Sequence, residues 1–188
     1  MNIILVGLNH KTAPVEIRER FAFIESRIGV ELARLLDSPL IPEGLILSTC
    51  NRVEICAVTE NITEGYDFLS RFLFDAQPQG HSLLFEDFVR HLYFYASSDA
   101  ISHVFRVSSS LDSMVVGEPQ ILGQIKAAFD MSLIHNTTGL ILNKLFKKAI
   151  SVAKRVRSQT RIAENAVSVS YAAVGLARKI FGELAGKT

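Results

Sequence analysis

Strand-like runs in this chain stop before Ser97, and the order in which they alternate with helical periodicity leaves few architectures open. Asn2 to Leu8 is an aliphatic, β-branched run closed by the polar loop Asn9-His10-Lys11-Thr12, the pattern of a buried strand. Pro14 suits a first helical position, and Val15 to Leu36 carries apolar residues at helical spacing, with a break expected near Gly29. Pro39, Pro42 and Gly44 mark a turn. Leu45-Ile46-Leu47 and Val53 to Thr59 then read as two short strands joined at Thr49-Cys50-Asn51-Arg52. Ile62, Tyr66, Leu69 and Leu73 repeat at helical spacing, and after a loop around Pro78 and Gly80 the run Leu92 to Tyr95 reads as a strand. The predicted order is βαββαβ, the split-βαβ pattern of a ferredoxin-like sandwich in the α+β class.

From Ser97 onward only helical spacing is found. Val104, Phe105 and Val107 lead into a loop of small residues, Ser108 to Gly117. Pro119 opens a helix through Ile121, Leu122, Ile125 and Phe129, and a further helix runs from about Leu140 to Arg157. Val167 to Phe181 forms a last helix behind a polar turn at Glu164-Asn165. The expected division is therefore 1–96 for the sandwich, 97–162 for a helical part and 163–188 for the start of another helix.

Charge and cysteine content narrow the function classes. Lys and Arg total 20 against 19 Asp and Glu, so any anionic partner must be met by a local patch rather than by a global field. No apolar run approaches a membrane span, and Asn9, His10 and Lys11 interrupt the apolar start before it reaches the length of a signal peptide, so the chain reads as cytoplasmic with no membrane partner. Cys50 and Cys56 are too few for a disulfide scaffold, and without a CxxC or clustered His they make no metal site. Each is either a small buried hydrophobe or a reactive thiol. Cys56 lies among Ile55 and Val58 inside a strand and reads as core, whereas Cys50 sits at a strand end two residues from Arg52, where a cation favours the thiolate and a guanidinium can clamp a carboxylate.

Of five histidines, His10, His81, His91, His103 and His135, the best candidate for acid–base work is His103, on the helix leading to Ser113 and Gly117-Glu118-Pro119-Gln120. Gln120 and Gln124 share a helical face, and with Glu118 and the free N–H groups of a helix start they suit a small zwitterion. An ordinary helix start with solvated glutamines is the alternative. Between Met131 and Ala163 there is no acidic residue, while Lys144, Lys147, Lys148, Lys154, Arg155, Arg157 and Arg161 all occur opposite the apolar face Leu142, Leu145, Ala149, Val152, Ala153 and Val156. Such a stripe suits RNA phosphates.

Four blocks together resemble the signature segments of the glutamyl-tRNA reductase family: Gly7 to Pro14, Ser48-Thr49-Cys50-Asn51-Arg52, Leu111 to Gln124, and Ala153 to Arg157. One position departs, Ser110 standing where that family has glycine. The resemblance implies NADPH-dependent reduction of glutamyl-tRNA to glutamate semialdehyde, the entry to tetrapyrrole synthesis, through a thioester on Cys50. It further implies a glutamate pocket lined by Thr49, Cys50, Asn51, Arg52, Ser113, Glu118, Pro119, Gln120 and Gln124, with Arg52 facing the substrate carboxylate and Glu118 its ammonium. His103 takes the place of a functionally important histidine. The same resemblance implies an NADPH domain and a homodimerisation region that this sequence does not include, residues 163–188 beginning the connecting helix, and no GxGxxG fingerprint is found in it. A non-enzymatic RNA-binding module with a structural cysteine is the competing class, which accounts for the basic stripe but not for a thiol, guanidinium, carboxylate and paired amides in one chain.

Overall fold

A computed structural model describes residues 1–76, 83–163 and 169–182. Its centre is one four-stranded antiparallel sheet, β1 (Asn2–Asn9), β2 (Glu43–Ser48), β3 (Arg52–Thr59) and β4 (Tyr93–Ala96), in the order β2-β3-β1-β4. The two central strands are buried along almost their whole length because both faces of the sheet are covered, and their middle residues are mainly apolar. On one face Ile4, Val6, Leu8, Val53 and Ile55 pack against α1 (Val15–Arg20), α2 (Ile28–Leu36), α3 (Ile62–Asp75) and α4 (Phe85–Val89). On the other, Leu5, Leu45, Leu47, Cys56 and Val58 meet α5 (Ser97–Ser108), α6 (Gln120–Ile134) and α7 (Leu140–Gln159). The helices that follow Ser97 thus complete the core of the same sheet. A last helix, α8, spans Val169–Phe181.

The break between α1 and α2 lies at Phe21–Ile24 and not near Gly29. Fully buried Phe21 stacks on Phe88 with ring centroids 4.1 Å apart, and the Phe23 N–H donates to Ser48 Oγ at 2.9 Å, so tertiary contacts outweigh helical continuation there. Gly29 instead lies within α2 where an added Cβ would meet the His135 ring at 2.3 Å, so its smallness serves packing. The short helix α4 was not legible, since five residues give no periodicity. The loop around Pro78 and Gly80, His81, the turn at Glu164-Asn165 and the terminal Gly186-Lys187-Thr188 lie outside the described residues.

Gly7 on β1 pairs with Glu54 on one side and Tyr93 on the other. A Cβ there would come within 2.7 Å of both Glu54 Cγ and the Val53 carbonyl oxygen, so the missing side chain is what lets Tyr93 and Glu54 meet across β1. A second demand falls on Ser110, whose φ of 61° is a conformation that glycine adopts without cost. Its own bonds offset the strain: Ser110 Oγ donates to the Glu118 carbonyl at 2.7 Å and Gly117 N–H to the Ser110 carbonyl at 3.0 Å, closing the loop that leads to α6.

Candidate active site

The β2–β3 connection is a tight hairpin in which Thr49 N–H donates to the Arg52 carbonyl at 2.8 Å, leaving Cys50 and Asn51 at the tip. Thr49 Oγ1 accepts from the backbone N–H groups of Asn51 and Arg52 at 3.2 and 3.1 Å, the short-range hydroxyl bonding that favours threonine in turns. His10 N–H donates to the Asn51 carbonyl at 3.0 Å, fixing the tip to the end of β1. The consequence is an exposed Cys50 on a constrained loop. Cys56, by contrast, is buried, and burial pushes its thiol well up, with the charges of Glu54 and Glu43 adding to the effect.

Beside the tip lies a small, partly open pocket lined by Thr49, Cys50, Asn51, Arg52, Ser113, Met114, Glu118, Gln120, Ile121 and Gln124. Eight of the nine residues that the sequence grouped as substrate-binding are brought together here; Pro119 is exposed beside them and does not line it. Glu118 is mostly enclosed, but its carboxylate keeps solvent access at the pocket, and among the described residues it has no hydrogen-bond or ion-pair partner. A pocket-lining carboxylate without a protein partner is free to take up a cationic group from outside.

Arg52 is placed differently from the expectation of a free cation beside the thiol. It is 2% exposed, with Nη1 donating to Glu54 Oε1 at 2.6 Å and Nη2 donating to the Asp112 carbonyl at 2.6 Å and to Asp112 Oδ2 at 3.1 Å. Two protein carboxylates therefore hold most of its fork, and Nε–H and one Nη1 hydrogen remain for a ligand. Lys11 Nζ reaches Asp112 Oδ1 at 2.5 Å from the outer side.

His103 does not line the pocket. It is buried under Tyr95, with ring centroids 4.7 Å apart, and its Nε2 lies 2.8 Å from Glu54 Oε1. Tyr93 Oη donates to the same oxygen at 2.5 Å. Glu54, Asp112 and Tyr93 are thus the residues that motif reading missed. The available signal was a lone glutamate in an apolar strand two residues after Arg52, a spacing that puts both on one face.

Burial by itself pushes the Glu54 carboxyl up, but the Arg52 charge and the bonds from His103 and Tyr93 outweigh it and hold the group at about 2, against an ordinary value of 4.5. Burial acts on Asp112 in the same sense and is likewise overcome, here by hydrogen bonds from Lys11 and Arg52, which hold it below the usual carboxylate range. Both groups titrate lower folded than unfolded, so the stability they contribute is complete above the unfolded value and is lost as pH falls from about 4.5 towards 2. The urea midpoint is expected to drop steeply through that window, and less steeply in Glu54→Gln; equal slopes would refute the linkage.

Among the described residues no group of three or more His, Cys, Asp or Glu is arranged to hold a metal ion, and no helix is long and apolar enough to cross a membrane. The profile of the family described as "Glutamyl-tRNAGlu reductase, N-terminal domain" matches residues 6–160. The chain belongs to the glutamyl-tRNA reductase family. It is 58% identical over 188 residues to the glutamyl-tRNA reductase of Pelobacter propionicus and 56% identical to that of Trichlorobacter lovleyi, covering all of this chain and 42% of each relative. The solved glutamyl-tRNA reductase of Methanopyrus kandleri superposes with a TM-score of 0.70 at 33% identity, over 94% of this chain and 39% of that one. The chain thus spans about two fifths of the reductases it matches.

Proposed function

We propose that this chain is the acylation part of a glutamyl-tRNA reductase, acting in tetrapyrrole synthesis. The observation that carries the reading is an exposed thiol at the rim of a pocket lined by the Glu118 carboxylate, which has no partner among the described residues. A glutamyl group supplies what the pocket lacks: its ammonium for Glu118, its side-chain carboxylate for the remaining N–H donors of Arg52, and polar atoms for Asn51, Ser113, Gln120 and Gln124. Cys50 Sγ attacks the ester carbonyl. The C–S bond forms, the C–O bond to the terminal ribose breaks, and the departing oxygen takes up a proton. A thioester results, and one difficult step becomes two easier ones.

Reduction of that thioester requires NADPH. The sheet formed by the described residues is wholly antiparallel, without the parallel βαβ unit and glycine-rich turn that hold a dinucleotide. We therefore assign reduction to portions of the relatives outside the stretch matched here; homodimer formation through those portions and action in the cytoplasm are proposed with it. Within the chain we propose a ferredoxin-like sandwich over 1–96, a helical part over 97–162, and the start of a connecting helix over 163–188. The deciding experiment is incubation with glutamyl-tRNA followed by mass spectrometry. A glutamyl adduct on Cys50 supports the reading, and an unmodified Cys50 with saturating substrate overturns it.

The basic face of α7 fits the nucleic-acid part of the substrate. Lys144, Lys147, Lys148, Lys154 and Arg155 are exposed, while Leu142, Leu145 and Ala149 are buried in the core on this side of the sheet and Ala153 is buried further along the helix. Neutralising Lys147 and Lys154 together is expected to shallow the salt dependence of tRNA binding by up to about one unit of log slope for each phosphate that goes unneutralised. Binding measured over a salt series tests this, and an unchanged slope excludes α7 as the face that meets the phosphates.

A further inference from the structure

Glu54 Oε1 receives three donors, Arg52 Nη1, Tyr93 Oη and His103 Nε2, within 2.8 Å. An ionised carboxylate only accepts, so the His103 nitrogen that faces it carries a hydrogen. The hydrogen-bonded path from His103 towards Cys50 then runs through Glu54 and next through Arg52, and a guanidinium does not give up a proton in a protein. Any proton offered by His103 along this path stops at Arg52. What the path can transmit is position. Arg52 Nη2 holds both the carbonyl and the carboxylate of Asp112, and the next residue, Ser113, lines the pocket.

Building on the acylation reading, we infer that His103 is a positioning residue and not a proton carrier. It completes the shell of Glu54, Glu54 fixes Arg52, and Arg52 sets the loop that carries Ser113 and Glu118 to the pocket. Glu54 is then a second positioning residue, and the two act as one unit.

The test compares His103→Gln with His103→Leu in this chain, reading single-turnover acylation of Cys50 by glutamyl-tRNA. A glutamine side-chain amide places an N–H close to where Nε2 sits and does not titrate, whereas leucine fills the space without a donor. His103→Gln is expected to stay within about threefold of wild type and His103→Leu to fall about tenfold or more, as for loss of a hydrogen bond to a charged group. In a Glu54→Gln background, His103→Leu is expected to cost little more, because the partner through which it acts is already altered. Equal losses from glutamine and leucine in folded proteins, or additive losses in the cycle, would overturn the inference. Should the variants fail to fold, ring ¹⁵N shifts of wild-type His103 decide the matter: a hydrogen on Nε2 supports the inference and a bare Nε2 overturns it. A wild-type chain that forms no adduct sinks the acylation reading, while those shifts still judge the positioning role separately.

Discussion

Cys50→Ser is expected to abolish the glutamyl adduct, with no modified species detectable by mass spectrometry, while Cys56→Ser retains most of it. The two thiols differ by location. Cys50 stands exposed at the tip of a hairpin beside the polar pocket, and Cys56 is 2% exposed, paired on the sheet with Leu5 and Leu45. Nucleophilic attack needs a thiolate that can reach the carbonyl, and burial disfavours that charged form at Cys56. A serine hydroxyl at position 50 presents the same reach with a far weaker nucleophile at neutral pH, so the loss reports chemistry and not pocket shape. Equal loss from both substitutions would sink the assignment of Cys50.

Gly7→Val is expected to be the most destabilising single change near the site, costing about 3 kcal/mol or more by urea denaturation. The Cβ alone would lie 2.7 Å from the Val53 carbonyl oxygen, a backbone atom that can yield only if β1 moves away from β3. It would also press on Glu54 Cγ and stand 3.1 Å from Tyr93 Oη, breaking the bond between those residues and loosening the buried Arg52–Glu54 pair. Gly123 provides the contrast. An added Cβ meets nothing within 4 Å there, and the residue lies within α6, so Gly123→Ala is expected to gain about 0.5–1 kcal/mol. A Gly7→Val protein as stable as wild type would show that Tyr93 and Glu54 do not depend on the gap.

Much of the architecture was readable because local pattern and tertiary environment agree. The runs Asn2 to Leu8 and Val53 to Thr59 lie in the two central strands, and a strand covered on both faces is mainly apolar, its buried polar groups, such as Glu54, being paired. The amphipathic α7 followed its sequence pattern for a similar reason, since one packed face and one wet face are both written at helical spacing. At the site, the residues grouped from Thr49 to Gln124 came from short motifs and converge on one pocket because a hairpin tip and the first turn of a helix each present consecutive side chains to the same space. What could not be read was partner choice. The two-residue spacing hints at Glu54 as a partner of Arg52, but Asp112 and Glu118 stand at comparable distances along the sequence, and only the fold shows Asp112 holding the fork while Glu118 stays without a partner among the described residues. His103 was similarly ambiguous, because an imidazole in a helix is written the same way whether it faces a pocket or a buried carboxylate. Spacing along a chain determines which residues share a face. Which charges meet across 49 or 60 residues of sequence is decided by packing, through the register of β1, β3 and β4 and the space that Gly7 leaves open between them.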